Sequence, residues 1–309
     1  MSDGVHHSRT IVFVPGKNPK PHPREHRAQL WRCLLEGVRR VDPDVAGEME
    51  AATDDFRLVA WNHLFYGHYK SLERDLPWID TLLRQPGPTE DDRNLADNWR
   101  RRTARSIYQV ADALPFLIPL VPTRAIREAI TETARYFQNR DGIADRVREK
   151  AKGLLRSRMA EGDSILLIGH SMGSIIAYDS LWELWHGEGN PGKVDLFLSI
   201  GSPLGMHYVR KRLLGANASE DRRYPGNIRH WINIAAVGDL TALDQGIEND
   251  FHPMLTHGHS LVIRDEYDGV YNYFRNEEGL NVHRSYGYLV NPFVGRAIAG
   301  WWRQSSDRK

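Results

Sequence analysis

The sequence predicts an α/β fold, a mostly parallel central sheet with helices on both faces. Three observations predict it: short, near-continuous apolar runs rich in Val, Ile, Leu and Phe, amphipathic helical stretches between them, and glycine or proline where several runs end. A parallel strand covered on both faces has no polar side to present, so it reads as apolar throughout instead of alternating.

Taken in order, TIVFVPGKNPKP from Thr10 is a strand stopped by Pro15 and Gly16, and residues 24–40 continue as an amphipathic helix. FRLVAWN (56–62) is a second strand. SILLIGH (164–170) is a third, entered from a long polar-faced helix over 143–159. VDLFLSIG (194–201) and IRHWINIAAVG (228–238) supply the fourth and fifth. Residues 69–142 break the alternation with Trp78, Trp99, three arginines at 100–102 and the proline-punctuated stretch LPFLIPLVP. They read as a mostly helical insertion or cap within a single domain spanning 1–309. Its apolar residues are expected to pack on the core, with a mobile lid as the alternative.

At 309 residues and 41% hydrophobic, the chain can bury one large core. Its 41 Lys and Arg against 40 Asp and Glu leave a formal charge of +1, which offers no long-range field for nucleic acid or an anionic membrane. No apolar run approaches the ~20 residues that cross a bilayer, and the first nine residues carry no apolar export signal. With a single cysteine, Cys33, these features predict a soluble, cytoplasmic protein whose thiol is a buried small hydrophobe.

The sharpest chemical feature is Gly169-His170-Ser171-Met172-Gly173, a serine between two glycines where the third strand gives way to the helix SIIAYDSLWEL. A serine on so tight a turn takes a strained backbone, and side chains two residues to either side would collide, hence Gly169 and Gly173. The turn is expected to hold the Ser171 hydroxyl clear of the sheet. It also aims the helix N-terminus at the reacting carbon, with the Met172 N–H as an oxyanion donor.

LLIGHSMGSIIAYDSL resembles the nucleophile elbow of lipase-like α/β-hydrolases, and the likeness runs in order from about Thr10 to Trp302. The resemblance implies a serine esterase acting through an acyl-enzyme on a small-molecule ester or lipid, without a cofactor or metal. An acyltransferase or thioesterase with the same triad, and a non-catalytic binding protein, are the alternatives. It implies a second oxyanion donor in the loop after the first strand, here Pro15-Gly16-Lys17, with the Lys17 N–H in that role; the histidine usual before the glycine is missing.

The family's chain order of serine, acid and histidine implies, by the same resemblance, an acid after IRHWINIAAVG, at Asp239, with Asp244 in reserve. Of the histidines downstream, His283 stands in a polar loop before the last amphipathic helix and is the expected base; His230 begins a strand, and His257 and His259 are the alternatives. The spacing of His252, His257 and His259 lacks accompanying cysteines or paired carboxylates and reads as a solvated loop, not a zinc site. Trp78, Phe116 and Leu120 are candidates for an acyl pocket and equally for core. Acyl chain length and oligomeric state are not legible.

Overall fold

The computed structural model describes residues 8–98, 124–242 and 246–306. Six parallel strands form one sheet, with helices around it. They are β1 (Arg9–Val14), β2 (Phe56–Leu58), β3 (Ser164–His170), β4 (Val194–Ile200), β5 (Ile228–Ile234) and β6 (Val262–Glu266), in the order β2-β1-β3-β4-β5-β6.

Each strand's alternating side chains feed two separate cores. Val12, Val14, Ile165, Leu167, Phe197 and Trp231 point to one face. There they meet α7 (Ile143–Ala160) and α8 (Met172–Trp182) through Val147, Ala151, Ile175 and Ile176. Ile11, Phe13, Leu166, Ile168, Leu198 and Ile200 point to the other. They meet α1 (Pro23–Arg39) through Leu30, Leu34 and Val38, and the last helix, α13 (Pro292–Ser306), through Val294 and Ile298. Because β1, β3 and β4 are covered on both sides, their burial is almost unbroken, and each large side chain removed from water contributes about 1.5–3 kcal/mol. Cys33 is wholly buried on the inner side of α1, and burial pushes its thiol pKa up.

Two strands are shorter than the sequence suggests. Regular β2 ends at Leu58, since Trp61 turns into the short helix α3 (Asn62–Tyr66), and β5 ends at Ile234, before the loop that carries Asp239. β6, with the sequence VIRDE, was not expected: it is a partly exposed edge strand without an apolar run. Within 69–142 the described part is mainly helical: α2 (Pro43–Ala51) precedes it, and it holds α4 (Leu76–Arg84), α5 (Glu90–Asp97) and α6 (Arg124–Gln138). α5 starts with a reciprocal capping box between Thr89 and Asp92. Trp78 packs against the α1 side of the sheet, whereas Trp99, Phe116 and Leu120 lie outside the described residues. Among the described residues no helix is long and apolar enough to cross a membrane.

Candidate active site

The strand order fixes where chemistry can happen. From β1 the chain first lays β2 on one side, then returns to lay β3 on the other, so the loops leaving β1 and β3 diverge. In open parallel sheets the crevice at such a switch point, beyond the carboxyl ends of the strands, is the natural ligand position. Gly16 and Ser171 occupy these two loops.

Ser171 has φ 53° and ψ −128°, a conformation costly for a residue with a side chain. It persists because its neighbours leave no alternative. A Cβ on Gly169 would stand 2.6 Å from Ser174 Cα, and one on Gly173 would stand 2.1 Å from the Val14 carbonyl oxygen. The Ser171 N–H donates to the Ile200 carbonyl at 3.1 Å, and the Ser174 N–H and hydroxyl both donate to the Ser171 carbonyl, at 2.9 and 2.6 Å.

Three of the side chains singled out in the sequence come together. His283 Nε2 lies 3.0 Å from Ser171 Oγ, and its Nδ1 lies 2.9 and 3.1 Å from the two Asp239 oxygens. Asp239 is fully buried. Burial pulls its pKa up, but His283, the Tyr288 hydroxyl at 2.6 Å and the Thr241 N–H at 2.9 Å together hold it below the ordinary carboxylate value. Asp239 therefore stays ionised and keeps the His283 proton on Nδ1, leaving Nε2 as an acceptor for the serine hydroxyl. Tyr288 in turn accepts the Ala236 N–H at 2.9 Å. Gly201 clears the space for this pair, since a Cβ there would come within 3.0 Å of Asp239 Oδ2 and 2.9 Å of the Tyr288 ring. Asp244 is outside the described residues.

The loop that carries His283 is fixed by groups that sequence reasoning did not single out. The Asn281 side chain accepts the His283 N–H at 3.2 Å, and Asn272 donates to the Arg284 carbonyl at 2.8 Å. His170, inside the elbow itself, donates from Nε2 to the His283 carbonyl at 2.9 Å. Burial, then the nearby His283 and Lys20, push the His170 pKa well below 6.5, so it is neutral at pH 7. Among the described residues its Nδ1 is buried without a hydrogen-bond partner, and it faces Gly16, where an added Cβ would come within 2.8 Å of it.

The loop after β1 is held as firmly. Trp61 Nε1 donates to the Pro15 carbonyl at 2.8 Å, and Asn62 donates to the carbonyls of Gly16 and Asn18 at 2.8 and 3.0 Å. Gly16 lies so close to Ser171 that an added Cβ would sit 2.9 Å from the serine Cβ. Among the described residues neither the Lys17 nor the Met172 N–H has a protein acceptor, so both are available to a ligand oxygen.

Ser171 is 2% exposed, packed under Gly16 and the imidazole, and His283, with 26% of its side chain exposed, is the accessible member of the trio. Two of the other histidines downstream have partners elsewhere. His230 points Nδ1 at the Asp195 carbonyl from β5, and His257 stands 3.7 Å from Asp221. A cavity of about 380 Å³ lined by Tyr178, His207, Arg210 and Phe251 does not include the trio in its wall.

No protein-family model matches the chain, and neither does any curated protein or any solved structure.

Proposed function

We propose that the chain is a serine hydrolase of the α/β-hydrolase type, cleaving carboxylic esters through an acyl-enzyme on Ser171. The observation that carries this reading is the unbroken line of hydrogen bonds from Asp239 through His283 to the hydroxyl of a serine in a strained strand-to-helix turn. Buried strain and a buried carboxylate both cost stability, and chemistry at the serine accounts for both together.

In the first half-reaction His283 Nε2 takes the Ser171 proton as Oγ bonds to the acyl carbon, and Asp239 stabilises the imidazolium without accepting the proton. The carbonyl electron pair moves onto oxygen, where the N–H groups of Lys17 and Met172 receive it. The intermediate collapses as the C–O bond to the alcohol breaks, and His283 returns its proton to the departing oxygen. Water then attacks the acyl-enzyme by the same route in reverse, giving the carboxylic acid and free Ser171. Because the serine is covered, the ester approaches from the side of the partly exposed imidazole.

The test is fluorophosphonate labelling together with hydrolysis of p-nitrophenyl esters from acetate to palmitate. Ser171→Ala is expected to abolish labelling and to lower kcat by at least about a thousandfold, with an unchanged melting temperature. Equal labelling of the variant would refute the assignment. Release of a transacylated product in preference to acid, when an alcohol or thiol is added, would redirect the reading to an acyltransferase.

A further inference from the structure

In the proposed reaction both oxyanion donors must stand about 2.7–3.1 Å from one point. They belong to elements far apart in the chain. Met172 begins the helix α8, whereas Lys17 stands in the irregular loop after β1, next to Asn18 with its left-handed φ of 74°. A helix end holds its own N–H groups in place, but a loop takes its position from whatever packs against it. Trp61 and Asn62 fix the carbonyls of this loop from one side. From the side of the Lys17 side chain the contact is α6.

Three residues on one face of α6, Glu132, Arg135 and Tyr136, reach three different parts of the site. Glu132 stands 3.6 Å from the Lys17 ammonium, and both side chains are mostly buried. Among the described residues Glu132 Oε2 is shut off from water and has no hydrogen-bond partner, so the Lys17 charge is what faces it. An exposed pair would contribute almost nothing, whereas a desolvated carboxylate holds its cation in place. Arg135 lies over the Phe65 ring and donates to the Phe65 carbonyl at 2.9 Å; on the same short helix, α3, the Tyr66 hydroxyl accepts the Asn18 N–H at 2.9 Å. The Tyr136 hydroxyl, fully buried, donates to Asp179 at 2.9 Å, about two turns along α8 from Met172.

We propose that Glu132 is a positioning residue for the oxyanion site: through Glu132 and Lys17 on one side, and Tyr136 and Asp179 on the other, α6 sets the spacing between the Lys17 and Met172 N–H groups. The inference rests on the hydrolase reading above for what those N–H groups receive, although the link from α6 to the loop does not. The described end of the insertion then belongs to the catalytic machinery without touching the ester, and the side chain of Lys17 matters as well as its N–H.

The experiment measures hydrolysis of p-nitrophenyl butyrate, and inhibition by a trifluoromethyl ketone whose adduct with Ser171 carries a negatively charged oxygen. It compares the native protein, Glu132→Gln, Lys17→Met and the charge-swapped double variant Lys17→Glu with Glu132→Lys. Each single variant is expected to lose about tenfold in kcat and in ketone affinity with KM little changed, a fraction of the ~10²–10³ that a whole donor contributes. The double variant should regain most of that loss, which a side chain that only fills space would not allow. A native kcat in Glu132→Gln, or a fall confined to KM or to melting temperature, overturns the inference and leaves the hydrolase reading intact. Hydrogen exchange on the peptide that carries Gly16, Lys17 and Asn18 separates the two ideas. Exchange about tenfold faster in Glu132→Gln, in a protein whose native form turns over no ester, upholds the link from α6 to the loop and defeats the hydrolase reading. Unchanged exchange and no turnover defeat both. Lys17→Met gives the same readouts should Glu132→Gln not fold.

Discussion

Replacing Tyr288 with Phe removes one oxygen and leaves the ring that fills the core. That oxygen donates to Asp239 at 2.6 Å and accepts the Ala236 N–H at 2.9 Å, all three residues being buried. Losing a hydrogen bond to a charged acceptor costs about 1.5–3 kcal/mol, and a buried N–H left unpaired costs about 1–3 kcal/mol. The two losses overlap because one group makes both bonds, so the expected destabilisation is about 3 kcal/mol. Urea unfolding of native protein and Tyr288→Phe, at equal m-values, measures it. Since the hydroxyl also fixes the Asp239 rotamer, kcat for an activated ester should fall with the stability while labelling at Ser171 persists. A stability change below about 0.5 kcal/mol would mean that water or another donor replaces the hydroxyl, and the argument that Tyr288 anchors Asp239 would be wrong.

Gly173→Ala should lose both stability, by about 1–3 kcal/mol, and activity, because its methyl would meet the carbonyl oxygens of Val14 and Pro15 at 2.1 and 2.6 Å and push the Lys17 loop off the serine; native-like kcat/KM would contradict this. Stability should also fall as pH drops below 6.5. His26 and His170 are held well below that value in the fold, first by burial, so unfolding takes up two protons there. Asp179, pushed up to about 7 by burial, opposes them, since it is already protonated in the fold at pH 5 and ionises on unfolding. Two histidines against one carboxylate leave a net slope toward acid that grows from near zero around pH 7 to about 1.4 kcal/mol per pH unit near pH 5. Urea midpoints between pH 5 and 7.5 check it, and a flat profile would refute it.

The two kinds of information in the chain were not equally legible. Strands covered on both faces announce themselves, and the runs at Thr10, Ser164 and Val194 are observed close to their expected bounds. β6 gave no such signal, because an edge strand with Arg264, Asp265 and Glu266 looks like loop in one dimension. Ser171 was legible through local sterics, since its glycines are needed by the turn they flank. Asp239 and His283 were legible through the chain order that the resemblance implies, and the fold brings both to Ser171. The supporting layer was not: Tyr288 reads as ordinary core aromatic, Asn272 as a turn residue, and His170 as filler between a glycine and a serine. Their roles depend on contacts across 12 to 113 positions of sequence, which periodicity cannot reveal. The meeting of Lys70 and Arg284 on Asp75 was hidden for a similar reason: a chain of net charge +1 gives no sign of it.

The lone sulfur atom of this chain's cysteine complement, sealed beneath α1, makes the molecule its own stopwatch. While the fold is closed, the Cys33 thiol is both protonated and out of reach of any alkylating reagent. Each modification event therefore marks a moment at which α1 has lifted from β1 and β3. Alkylation rates, followed by mass without any engineered label, would count those openings and register how far a bound ester slows them.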